Sequence, residues 1–221
     1  MIPSEQSSEF VAAMEAVLDD YKRPYDPDYP VVCMDESPKQ LIDQLRPETR
    51  MQPGQPKRVD YEYIRKGVVN IFMATEPLAG YRVVKITDTK KKPDWARFCQ
   101  ELVDQHYENA VKITLVLDNL NTHKAASFYE TFPPEEAKRI LDRLEFVFTP
   151  KHGSWLNRAE IELQVLYNQC LNRHINSTEL IESEVQAWTN YRNNGNSRID
   201  WQFTEEDARI KLKRLYTSIH V

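Results

Sequence analysis

The sequence predicts a mixed α/β domain, a sheet of three antiparallel strands plus two further strands, flanked by helices on both faces. Three observations lead there. Three β-rich runs come first, at residues 31–35, 63–75 and 81–88. Helical and extended patterns then alternate through 94–107, 112–118, 135–143 and 145–148. Helical patterns alone follow, with no internal repeat and no low-complexity tract. That order suits one sheet covered on both sides by helices.

Residues 9–21 place Phe10, Ala13, Met14, Val17 and Leu18 at helical spacing, and Pro24, Pro27 and Pro30 end the helix. Val31-Val32-Cys33-Met34-Asp35 reads as a buried strand that closes on a carboxylate. Residues 37–57 turn to Pro, Gln, Arg and Gly and read as a long loop or insertion. The next two runs, joined by Glu76-Pro77-Leu78-Ala79-Gly80, form a hairpin and complete an antiparallel meander. Trp95, Phe98, Leu102 and Val103 mark the crossover helix, after which KITLVLD returns to a strand that again ends on an aspartate, Asp118. Beyond the second crossover and the loop TPKHGSW, a long helix is expected over 156–174. A helix over 177–191 opens at Ser177 or Thr178, and a last helix is capped by Thr204 with Asp207 in the capping-box position.

With 221 residues, 41% hydrophobic and 29% charged, the chain has the composition of a folded globular protein. The longest apolar stretch, 68–74, is broken by Asn70 and is far short of the roughly 20 residues that cross a bilayer. The opening MIPSEQSSEF carries acids where a secretory signal carries basic residues, so a cytoplasmic location and no membrane partner are expected. Cys33, Cys99 and Cys170 are odd in number and widely spaced, which suggests neither a disulfide framework nor a zinc site. A net charge of −5 argues mildly against nucleic acid, whose affinity comes mostly from neutralised phosphates. The segment from Lys39 to Lys92 is nonetheless locally basic.

Two aspartates at the ends of neighbouring core strands, Asp35 and Asp118, followed by a glutamate on the next long helix, Glu160, would gather three carboxylates at one sheet edge. Such a cluster repels itself unless cations sit in it. Oxygen-only ligands suit Mg²⁺ or Mn²⁺, and a pair of such ions supports phosphoryl transfer on nucleic acid.

VVCMDESPKQL, LVLDNLNTHK and TPKHGSWLNRAEIELQVL resemble the three catalytic blocks of bacterial IS630-type transposases, relatives of the Tc1/mariner group. The resemblance runs from about Phe10 to the C-terminus, with the blocks in the family's order. It implies an RNase H-like catalytic domain over 31–176, preceded by a helix and linker over 1–30 and followed by a helical extension over 177–221. It also implies Asp35, Asp118 and Glu160 as the catalytic and metal-binding triad, with Mg²⁺ as cofactor and Mn²⁺ as a substitute. The implied reaction is a nick that frees a 3′-hydroxyl at the element's end and the attack of that hydroxyl on target DNA, typically at TA-containing sites. Transposon ends and target DNA are the implied partners, and bringing two ends together implies a homodimer. The third block reads Asn157-Arg158-Ala159-Glu160 where Tc1-like relatives often have a proline in second place. The family's helix-turn-helix modules have no counterpart before Asp35, so end recognition is not expected from these residues. A nuclease that cuts without joining, or a remnant that only binds DNA or a partner, are the alternatives.

Each residue also has a plainer reading. An aspartate closing a strand is ordinarily a turn or cap residue, and only the joint pattern lifts Asp35 and Asp118. Glu36 would replace Asp35 if the register slipped by one, which alternation opposes. Glu160 also fits a capping box with Asn157. Glu162 is its rival as a ligand, about 200° away around the helix, so both cannot face one site. The buried stripe is expected to be Leu156, Ala159, Leu163, Leu166, Tyr167 and Cys170. Trp155 reads as a helix-entry anchor. Lys90, Lys91, Lys92, Asn119, His123, Lys151, His152, Arg209 and Lys213 are candidate DNA contacts, though such charges ordinarily form a solvated face.

Overall fold

A computed structural model describes residues 7–45, 62–199 and 201–216. Its sheet has the strand order β3-β2-β1-β4-β5. Strands β1 (Val31–Gln44), β2 (Tyr63–Glu76) and β3 (Tyr81–Thr87) form the antiparallel meander, and β4 (Ile113–Leu117) and β5 (Leu144–Phe148) extend it in parallel on the far side of β1. Helix α1 (Ser8–Lys22) precedes the sheet, α2 (Lys92–Glu101) makes the first crossover, and α3 (Ala126–Tyr129) and α4 (Pro134–Asp142) make the second. Helices α5 (Arg158–Leu166), α6 (Thr178–Asn194) and α7 (Glu205–Lys211) close the chain. Among the described residues no helix is long and apolar enough to cross a membrane.

Alternation along the strands divides the core between two faces. Val32, Met34, Leu115 and Leu117 point to one face, where Trp95 and Phe98 of α2, Phe128 of α3 and Ile140 of α4 cover them. Cys33 and Val116 point to the other, against Phe10, Met14 and Val17 of α1, Ala159 of α5 and Ala208 of α7. Farther along that second face, Val69, Ile71 and Met73 of β2 meet Leu166 of α5 and Ile181, Val185 and Trp188 of α6. Helix α5 therefore spans both halves of the second face. Caps expected from sequence are present: the Ser177 side chain accepts from the Leu180 N–H, and Thr204 and Asp207 form the capping box of α7.

Two expectations are corrected. The loop read from residue 37 onward is strand as far as Gln44, paired residue by residue with β2. Pro38 is tolerated because β4 pairs only with Val31, Val32 and Cys33, so among the described residues no strand asks for a donor from Pro38 on that side, and the first donation there is from the Ile42 N–H to the Ile175 carbonyl. The rest of that predicted loop, with Lys57, lies outside the described residues. The helix expected over 156–174 is three pieces: a 3-10 turn at Ser154–Leu156, α5, and a π-helical turn at Tyr167–Leu171.

A buried ion cluster ties the second face together. Glu162, 1% exposed, accepts from Arg82 Nε and Nη2 at 2.6 and 2.9 Å and from Arg192 Nη2 at 2.9 Å. It links α5 to β3 and α6. Removing one partner of a buried pair strands the other charge, a loss of about 3–5 kcal/mol. Glu162→Ala is expected to lower the urea midpoint accordingly, and a midpoint equal to that of the wild type would show that the cluster contributes nothing.

Candidate active site

Cys33 of β1 lies opposite Val116 of β4 in the parallel ladder. Two residues on from each, Asp35 within β1 and Asp118 just past the end of β4 therefore emerge side by side on the same face, where the β1–β4 pairing stops. That is the face on which α5 packs. Its N-cap, Asn157, is 1% exposed and makes the decisive tie: its Nδ2 donates to the Met34 carbonyl at 2.8 Å, while its Oδ1 accepts from Ala159 N–H at 3.1 Å. The start of α5 is thus pinned one residue before Asp35, and Glu160 is delivered beside it. Asp35, Asp118 and Glu160 line one cleft of about 460 Å³ together with Glu36, Ser37, Ser154, Asn157, Leu163, Gln164 and Tyr167.

Electrostatics in this cleft are unbalanced. Burial pushes the Asp35 carboxyl up to about 7, and the neighbouring charges of Glu36, Asp118 and Glu160 push the same way against the Glu36 N–H, which donates to Oδ1 at 2.8 Å. Among the described residues, none that lines the cleft is a lysine or arginine. Among the described residues no group of three or more His, Cys, Asp or Glu side chains is close enough together to hold a metal ion as the side chains stand. The triad lines an open, anionic cleft whose donors are carboxylate oxygens, the donor type that hard divalent cations take.

His123, a candidate DNA contact for which a structural role was the plainer reading, is 1% exposed and lies against Asp118. Its Nδ1 lies 2.7 Å from Asp118 Oδ1 and its Nε2 3.2 Å from Glu36 Oε2, while the ring packs on Trp95 at 5.2 Å between centroids. These are short charge pairs rather than aligned hydrogen bonds, since neither carboxylate oxygen sits in line with a ring N–H. Burial opposes the charged imidazolium, but the two carboxylates outweigh it and raise His123 to about 9. Glu36 is taken up by His123 and by Lys90 at 3.6 Å, so it is a partner of the site's histidine rather than a substitute for Asp35. Glu162, the rival to Glu160, faces away into the arginine cluster.

The remaining candidates are scattered. Lys90 and Lys91 precede α2, and Lys92 pairs with Glu130 at 2.7 Å. Asn119, Lys151 and His152 come together in a second groove of about 540 Å³ bounded by Ser7, Glu9 and Phe10 of the α1 end. His152 adopts a positive φ of 67°, which a non-glycine residue rarely takes. Arg209 pairs with Glu15 at 3.0 Å, and Lys213 is exposed in a short 3-10 turn after α7. Trp155 is the expected anchor, edge-on to Phe203 at 5.5 Å. Tyr167, expected in the buried stripe, is 43% exposed and lies in the cleft. The signal was its spacing: two helical turns beyond Glu160 it shares that residue's face.

Residues 30–181 match the family model of the DDE superfamily endonucleases. The chain belongs to that family. Its fold is similar to that of the Mos1 mariner paired-end complex with Mn, at TM-score 0.57 and 16% identity over 89% of this chain and 60% of that one. A pre-cleavage Mos1 transpososome aligns with TM-score 0.59 and 14% identity, covering 99% of this chain and 66% of that one. The Mos1 paired-end complex with Mg gives TM-score 0.55 and 15% identity over 99% of this chain and 66% of that one. The chain thus spans roughly 60–66% of the length of these transposase chains. A search of curated proteins finds no match.

The cleft makes stability pH-dependent. Unfolded, Asp35 releases its proton near the ordinary carboxylate value of about 4; folded and metal-free, it keeps it to about 7. The contribution is full below the lower value and is lost as pH rises through the upper one. The melting temperature of metal-free protein is expected to fall across that window more steeply in the wild type than in Asp35→Asn. Glu76, also raised to about 7 by burial, adds the same slope to both proteins and cancels in the comparison. Equal slopes would mean that Asp35 is not held in this environment.

Proposed function

We propose that this chain is the catalytic domain of a DNA transposase, in which Asp35, Asp118 and Glu160 hold divalent cations for phosphodiester cleavage and strand transfer. One observation carries the reading: a strand register, a helix cap and a helix face bring three separated carboxylates into one cleft within a DDE superfamily endonuclease domain. Mg²⁺ is the expected cofactor and Mn²⁺ its substitute, matching the anionic oxygen donor set. Cations held there would activate a water or 3′-hydroxyl and stabilise the leaving oxygen of the scissile phosphate. The Asn157 tie holds Glu160 against β1. The Glu36 N–H holds one Asp35 oxygen, and His123, whose Nδ1 lies 3.2 Å from the Asp118 backbone carbonyl and 2.7 Å from Asp118 Oδ1, steadies Asp118. Direct in-line attack leaves no covalent protein intermediate. Transposon ends and target DNA are the proposed substrates, and two copies are proposed for two ends, as the Mos1 paired-end complexes suggest.

Mn²⁺ titrated calorimetrically into the protein tests the ligand set. Binding is expected to be lost in Asp118→Asn and Glu160→Gln, each retaining its fold; a folded Asp118→Asn variant that binds metal and cleaves DNA would sink the assignment. His123→Phe keeps the ring on Trp95 but drops both nitrogens, and a 10–100-fold weaker Mn²⁺ affinity is expected, the usual effect of losing a residue that orients a ligand. Affinity equal to the wild type would make His123 a packing residue only. With supplied DNA ends, joined products separate a transposase from a nuclease that cuts alone.

A further inference from the structure

The cleft wall changes character along its length. Near the strand ends it presents Asp35, Glu36, Asp118 and Glu160; farther along α5 it presents Leu163, Gln164 and Tyr167. Among the described residues the wall itself holds no lysine or arginine, so away from the carboxylates it offers a sugar–phosphate backbone little attraction. A DNA strand whose scissile phosphate lies there would meet this part of the wall through its base or sugar. Tyr167 offers an aromatic ring that is 43% exposed, two turns from Glu160 on the same helical face. The ring is nevertheless held. Lys39 Nζ lies 5.2 Å from its centroid, and the same ammonium donates to the Leu171 carbonyl at 2.6 Å and the Arg173 carbonyl at 3.4 Å. A cation over an aromatic face is attractive, and a side chain ordered beforehand loses less freedom on binding.

We infer that Tyr167 is a stacking platform for an unpaired DNA base beside the scissile phosphate, so that the site takes its DNA locally unwound rather than as continuous duplex. The subsite rests on the transposase reading and deepens it. Stacking needs an exposed base face, which a base inside a duplex does not offer, and it tolerates any sequence because every base has a π-face. The Gln164 amide beside the ring supplies hydrogen-bonding capacity for a base edge. Lys39, occupied by backbone carbonyls, acts here by pinning the ring rather than by touching phosphate.

The test uses a short DNA single strand carrying one 2-aminopurine, and the same strand in a full duplex, each titrated with the protein in Mn²⁺. Quenching of the 2-aminopurine reports stacking, and calorimetry with Mn²⁺ alone is run beside it. The single strand is expected to bind and be quenched by the wild type and by Tyr167→Phe. Tyr167→Ala is expected to bind it about 5–150-fold more weakly, the equivalent of roughly 1–3 kcal/mol per stacked base, with quenching lost and Mn²⁺ affinity unchanged. Single-strand binding by Tyr167→Ala at wild-type strength overturns the platform, as does an equal loss for duplex and single strand, or a loss in Tyr167→Phe matching that in Tyr167→Ala. If the wild type binds no Mn²⁺, the transposase reading fails first and the subsite falls with it.

Discussion

Cys33 pairing with Val116 across the parallel ladder of β1 and β4 sets the position of everything chemical in this molecule. The side-chain period of a strand leaves no freedom after that: Asp35 and Asp118 must emerge together on the face that α5 covers. Burial then raises the Asp35 carboxyl, and mutual repulsion has to be borne by the packing around it. The Asn157 tie to Met34 and the Arg82–Glu162–Arg192 cluster bear it by clamping α5 at its start and at its buried glutamate. Two adjacent strands supply two carboxylates, and a helix locked at two points supplies the third.

Much of this was legible in the sequence, because strong periodicities and short motifs carry local information. The strands that carry Asp35 and lead to Asp118, the antiparallel meander of the first three strands and the capped helices at Ser177 and Thr204 all follow from such patterns, although β1 runs on past Asp35 to Gln44. What stayed hidden depended on partners distant along the chain. The run from Ser37 to Gln44 has loop composition but becomes strand because β2 supplies a ladder for it. The choice between Glu160 and Glu162 could not be made from helix angles alone, since what decides it is a pair of arginines on β3 and α6 that claim Glu162. Tyr167 was read as buried because it fits an apolar stripe, yet Leu171 takes the buried position across the π-helical turn. For His123 the sequence leaves open a structural histidine or a DNA contact; Trp95, far away in sequence, packs on its buried ring.

The histidine also shows how a cleft with so many acids avoids unfolding its own lining. Glu36 and Asp118 sit on adjacent strands, and one imidazolium between them neutralises part of a charge density that would otherwise oppose the register. Lys90, half-exposed above Glu36, completes a line of alternating charge from the cleft to the surface. Of the cleft's acids, Asp35 and Glu160 are left without a basic partner among the described residues.

Pro38 has a consequence beyond local pairing. Past the end of β4 the outer side of β1 carries no further strand among the described residues, though the Ile42 N–H donates there to the Ile175 carbonyl at 2.7 Å, and its partner β2 carries exposed Tyr63, Ile64 and Val68 along the same arm. A partly open strand edge beside apolar side chains is the ordinary template for intermolecular sheet growth and aggregation. A proline that cannot donate, followed at once by the charged Lys39, blunts that template. The residue that disguises the arm as a loop in the sequence is thus also the one that keeps two such arms from zipping into each other in a crowded solution.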